Sequence, residues 1–228
     1  MFQVSIQGRK LVRGLPLSAG LTASRHDIYF AKIHPSFPMI HRRRYFAAMN
    51  LAPHVRPPVC LRYIMWTLAA SISDKYELFA EHFYRRARKY AQADELRGHG
   101  EDTITLAHCQ TWALMSTYEF KLMYFPRAWL STGRAVRLAQ MMGLNRLDGN
   151  GLDVKQCIQP PKDWTEKEER RRTFWVVFCK DRYASIGTGW PMTIDERDVC
   201  LSHALLQFDL FVYCSADYDQ LTLLGTSI

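Results

Sequence analysis

Residues Glu166–Val199 read EKEERRRTFWVVFCKDRYASIGTGWPMTIDERDV, and their order constrains the fold more than any other stretch. Acids and arginines come first, aromatic and branched apolar residues follow, then glycines and a proline turn. That order describes one long helix and its return loop. Thr165-x-x-Glu168 has capping-box spacing, in which a hydroxyl and a carboxylate satisfy reciprocal backbone donors. Glu166/Arg170 and Glu168/Arg172 stand four apart, each such pair contributing about 0.3 kcal/mol. Phe174, Val177, Phe178 and Asp181 share one helix face, and Trp175 and Cys179 an adjacent one. The helix is expected to end near Gly187 and Gly189.

The 3.6-residue period recurs upstream. After Pro57-Pro58, Leu61, Ile64, Met65, Leu68 and Ile72 fall at helical spacing. Phe79, Phe83, Ala87 and Tyr90 form the next apolar face, with Arg85, Arg86, Arg88 and Lys89 around it as a solvated surface, and Gly98 and Gly100 stop that helix. From Thr103 to Tyr124, Leu106, Cys109, Ala113, Phe120 and Met123 make a stripe broken by Ser116. Pro126 suits the first turn of a helix over Arg127–Met142, where its missing N–H is no loss. Trp129, Leu130, Gly133, Val136 and Met142 are expected on its core face. Gly133 is read as allowing close helix contact, since a mid-helix glycine otherwise costs about 1 kcal/mol. Gly143-Leu144 reads as a left-handed cap with its apolar contact. Asp148–Pro161 is a polar loop, and Phe208–Cys214 suits strand or helix equally. The fold class is all-α, a helical bundle of about six or more helices.

Charge narrows the function classes. Met1–Arg56 holds nine Lys and Arg against one Asp, so the net +8 of the whole chain sits there. The remaining 21 basic and 21 acidic residues cancel. A neutral body is a poor clamp for nucleic acid, which needs concentrated positive charge. Met1–Ser24, with Gly8, Gly14, Pro16 and Gly20, reads as an irregular arm. Arg42, Arg43 and Arg44 are candidate nuclear-import residues. No segment carries the roughly 18 uninterrupted apolar residues of a membrane span. The six cysteines show no CxxC spacing, which fits a reducing compartment.

Catalytic and metal motifs are not read here. His82, His99, His108 and His203 are isolated in sequence, and His108-Cys109 are helix neighbours that do not face each other. Gly187-Thr188-Gly189-Trp190-Pro191 lacks the third glycine and preceding strand of a phosphate loop. It reads as a tight turn with Trp190 tucked against the bundle. Glu166–Arg172 is taken to cap and solubilise its helix. Asp181-Arg182 is taken as a buried pair that fixes helix packing, so Asp181→Ala is expected to destabilise by several kcal/mol, on the order of 3–5.

From Phe30 to Val199 the ordered features resemble the fungal transcription factor regulatory domain, or middle homology region, of the fungal zinc-cluster factors. The resemblance rests on His34-Pro35-x-x-Pro38-x-Ile40-His41, on Tyr124-x-Pro126-x-Ala128-Trp129 through Arg134, Arg137 and Ala139 to Gly143-Leu144, and on a final set. That set is Glu168, Glu169, Arg170, Arg171, Arg172, Phe174, Trp175, Asp181, Arg182, Ser185, Gly189, Pro191 and Ile194. It implies three regions: a basic arm at 1–27, the regulatory domain at 28–199, and a divergent segment at 200–228. It also implies a bundle truncated at the C-terminus.

The resemblance implies a nuclear regulator of RNA polymerase II genes, in metabolic or secondary-metabolite pathways. Partners would be transcriptional coregulators, a full-length zinc-cluster factor, or a second copy in a homodimer. The family's C-x2-C-x6-C zinc cluster is not found in these residues, so zinc is expected only with a missing N-terminal module. DNA would be met indirectly or through that module, and the polypeptide alone is expected to discriminate DNA sites weakly or not at all. The alternative is a stand-alone interaction protein that modulates a full-length activator. An all-α enzyme ranks third.

Overall fold

The computed structural model describes residues 25–149 and 157–201. Residues 25–33 are helical and end in a π-helical stretch, Tyr29–Ile33. Six longer helices follow: α1 Arg42–Met49, α2 Val59–Ala70, α3 Ala80–Glu95, α4 Leu106–Lys121, α5 Phe125–Met141 and α6 Trp164–Thr188. Among the described residues there is no strand. The Phe208–Cys214 segment and the first 24 residues lie outside the described residues.

The core forms around α4, which packs against α2, α5 and α6. Its buried residues occupy every face, from His108 and Cys109 through Trp112, Leu114 and Met115 to Tyr118 and Glu119. A helix buried all round has lost its polar side, and that is why the apolar stripe read from the sequence undercounts it. α2 is buried along ten of its twelve residues, Cys60 and Leu61 through Ala70. α3 is one-sided, with Phe83, Tyr84, Ala87 and Ala91 inward. Each large side chain fully removed from water here stabilises by about 1.5–3 kcal/mol.

Several sequence expectations shift. On α5 the inward residues are Ala128, Ser131, Thr132, Ala135, Val136, Leu138 and Ala139. Leu130 is exposed, and a Cβ added to Gly133 would meet nothing within 4 Å. Gly133 therefore makes no close helix contact. The small face of α5 is its alanines, which let α4 and α6 approach. Ile72 lies past the end of α2, and Met123 is half exposed in the left-handed junction between α4 and α5.

The cap of α6 is also elsewhere than expected. Asp163, not Thr165, is the N-cap, and its carboxylate accepts from Glu166 N at 2.9 Å. Glu166 Oε2 reaches back to Lys162 N at 3.0 Å. The cap thus starts two residues upstream of its predicted place, and the returning carboxylate takes the N–H before the N-cap rather than the N-cap's own. Gly189 closes the helix in the left-handed conformation, φ +72°, with its N–H donating to Ser185 O. Gly143 does the same after α5 at φ +67°, and Leu144 beside it is fully buried.

The buried body starts before residue 28. Arg25 and His26 are buried, although the sequence boundary puts them in the arm. Arg25 lies over the rings of Trp66 and Phe83, at 5.0 and 4.9 Å. His26 Nε2 meets Trp66 Nε1 at 3.0 Å and the Tyr45 hydroxyl at 2.8 Å.

Candidate functional site

The charged start of α6 is largely buried, contrary to a role as a solvated cap. Glu168, Arg170 and Arg171 are all buried. Arg171 donates to Glu168 Oε2 at 2.6 Å and grips Asp148 through Nε and Nη2 at 2.8–3.1 Å. Arg172 donates to Glu168 Oε1 at 2.9 Å, and Arg170 to Glu166 Oε1 at 2.7 Å. Lys167 adds a second cation at Asp148. The hydrogen bond to Asp148, ahead of the opposing burial, raises the Arg171 pKa above its ordinary value. Asp148 arrives from the loop after α5, so the network ties α6 to that loop. No periodicity within α6 could announce that partner.

Glu169 points another way. It accepts from His41 N at 3.3 Å and Gln110 Nε2 at 3.4 Å, joining α1 and α4 to α6. Burial pushes its carboxyl above the usual range. Phe174 is fully buried against Trp175 and Phe178, which form the aromatic body of the helix.

Asp181 holds the return turn rather than a neighbouring helix. It is buried, and its Oδ2 accepts from Thr193 N and Ile194 N, both at 2.9 Å. Arg182 Nη1 stands 3.4 Å from that oxygen, and its Nη2 donates to Ile194 O at 2.8 Å. Ser185 Oγ donates to Asp181 O and reaches Pro191 O at 3.3 Å. The expected Asp181–Arg182 pair thus exists, but its task is to pin the Pro191–Ile194 turn back onto α6. Trp190 in that turn meets Trp129 of α5 edge-on at 5.2 Å.

A second buried acid was missed from sequence. Glu119 of α4 is fully buried, and its Oε1 accepts from the Tyr84 hydroxyl at 2.6 Å and from Arg88. Its Oε2 has no hydrogen-bond partner. Burial raises this carboxyl above its ordinary range. Arg88 was read as part of a solvated basic face. It turns inward instead, while Arg85 stays out and pairs with Glu81. The readable signal was a glutamate within an otherwise apolar stretch.

The basic run opens α1. Arg42 pairs with Asp27, Arg44 with Asp163, and Arg43 is exposed. The thiol of Cys109 donates to Ala135 O at 3.3 Å, and burial pushes its pKa up to about 12. A thiol so protonated is no nucleophile. His108, isolated in sequence, is not isolated in space, for it meets Asp94 at 3.3 Å and shares a site with Cys60. The family's six-cysteine zinc cluster does not fit the described residues, whose cysteines gather at no common point.

An open cleft of about 640 Å³ lies between the end of α3 and α5. Trp112, Trp129, Arg134, Arg137, Glu95 and His99 line it. Arg134 lies 4.6 Å over the Trp112 ring. Aromatic faces beside guanidinium groups suit a planar or anionic ligand. No helix among the described residues is long and apolar enough to cross a membrane.

A family model described as the fungal specific transcription factor domain matches residues 26–222. The chain is 38% identical over 176 residues to the pigment biosynthesis transcriptional activator pigB of Monascus ruber, covering 77% of this chain and 32% of that protein. It is 32% identical over 185 residues to the citrinin biosynthesis transcriptional activator mrl3 of Monascus ruber, covering 81% and 36%. Against the asperfuranone cluster transcription factor afoA of Emericella nidulans, identity is 32% over 192 residues, covering 78% and 29%. The chain spans about a third of the length of these curated relatives. No solved structure matches it. Its helices, its charged α6 and the extent of the match agree: this chain belongs to the fungal specific transcription factor domain family.

Proposed function

We propose that this chain is the regulatory part of a fungal transcription regulator acting in the nucleus on RNA polymerase II genes of one secondary-metabolite pathway. The family match over residues 26–222 carries the reading. The pigment, citrinin and asperfuranone roles printed for its relatives support the pathway class. The reading assigns the bundle no catalysis. It works by presenting folded surface to coregulators, to a full-length zinc-cluster factor or to a second copy. Residues 25–56, with six Lys and Arg against one Asp, belong to the folded body, which is therefore net positive rather than neutral, but the family's six-cysteine DNA-reading cluster does not fit the described residues. DNA contact then runs through another module or a partner.

The test is disruption of the gene followed by RNA sequencing. Transcripts of one contiguous set of biosynthetic genes are expected to shift together, with the corresponding metabolite. Unchanged transcripts across every such set, under conditions where those genes are expressed, would overturn the reading.

A further inference from the structure

Three helices bring ligand-type atoms to one point that the α6 network does not use. Cys60 lies in the first turn of α2, Asp94 in the last turn of α3 and His108 in the first turn of α4. Asp94 Oδ2 stands 3.9 Å from Cys60 Sγ and 3.3 Å from His108 Nε2. The three ligand atoms lie within 4.8 Å of one another. Cys60 and His108 are buried, and Asp94 is partly exposed. We propose that this cluster binds a zinc-class divalent cation that joins α2, α3 and α4.

Geometry, charge and orientation support the site. Ligands on a tetrahedral zinc, at roughly 2.0–2.3 Å from the metal, stand about 3.3–3.8 Å apart. The observed separations need only a small closure. A thiolate, a carboxylate and a neutral imidazole together match the charge of a divalent cation. Thr105 Oγ1 sits 2.8 Å from His108 Nδ1 and accepts His108 N–H at 3.2 Å. That hydroxyl turns Nε2 toward the thiol and carboxylate, as outer contacts orient metal-bound histidines. Asp94 Oδ1 lies 3.7 Å from the exposed Arg97, leaving Oδ2 to the cluster.

A mixed sulfur, nitrogen and oxygen set suits a zinc-class ion, whereas magnesium and calcium take oxygen ligands. The open side at Asp94 leaves a fourth position for water. Binding replaces the Cys60 thiol proton with the cation and releases that proton to solvent. The competing state is metal-free, with His108 hydrogen-bonded to Asp94 and Cys60 Sγ resting 3.7 Å from Thr111 Oγ1.

The test titrates the full purified chain with Co²⁺ and then displaces it with Zn²⁺. One Co²⁺ per chain is expected, with a thiolate-to-cobalt charge-transfer absorption that Zn²⁺ abolishes. Cys60→Ser should remove that band, and Cys157→Ser, at an exposed thiol, should keep it. Asp94→Asn, at a partly exposed position, should weaken Co²⁺ binding at least about tenfold, with its helicity checked by circular dichroism. A helical wild-type chain with no charge-transfer band would overturn the proposal. So would a band that survives Cys60→Ser, or undiminished binding by Asp94→Asn.

Discussion

At Gly133 a methyl group would meet open space at the rim of the cleft. Gly133→Ala is therefore expected to stabilise the fold by about 0.5–1 kcal/mol, since alanine loses less backbone entropy in a helix. A rise in urea midpoint at constant slope would show it, and a fall would mean that this face is tight after all. Asp181 is the opposite case. Asp181→Ala strands the backbone N–H groups of half-buried Thr193 and buried Ile194, so a loss of about 2–4 kcal/mol is expected in the same titration. Asp181→Asn keeps one acceptor oxygen and should lose less. The acid itself was legible, since it followed an apolar face in a helix. Its partners were not, because Thr193 and Ile194 offer backbone donors whose position depends on the turn.

Within single helices, periodicity revealed existence and missed environment. α6 was readable from its aromatic body and glycine exit, yet its EERRR start looked like a solvated cap. Burial there depends on Asp148, which lies 23 positions before Arg171. Arg171→Ala is expected to destabilise by about 3–5 kcal/mol, because Glu168 and Asp148 would keep buried charge without their main cation. Arg171→Lys should recover only part of this, since an ammonium cannot reproduce the forked contact. Denaturation of the two variants side by side checks the order.

Glu119 gives α4 a pH signature. Its carboxyl is raised by burial. A folded pKa above the unfolded one, about 4.3 for glutamate, means stability that is complete below the unfolded value. That contribution is lost as pH rises through the folded value. Glu119→Gln removes the titration. The stability of wild type relative to Glu119→Gln is expected to fall as pH is raised from about 4 to 8. A rise would mean that Arg88 and Tyr84 outweigh burial and lower this carboxyl.

For the whole molecule, the all-α class followed from apolar period and terminator residues, both local signals. The convergence of α2, α3 and α4 at Cys60, Asp94 and His108 did not, because each contributes one residue from a different helix. Nor did the cleft, whose Trp129, Leu130 and Gly133 were assigned inward by their spacing. The proposed regulatory role rests on the bundle being folded, and the α6 network is one of the ties between its last long helix and the rest. The most direct measurement of that claim is cluster transcript level in a disrupted strain complemented with Arg171→Ala, beside an Arg85→Ala control at an exposed position of α3. The account predicts that Arg85→Ala folds like the wild type and restores transcripts, and that Arg171→Ala fails to restore them. Full restoration by Arg171→Ala, with its bundle shown to be unfolded, would contradict it.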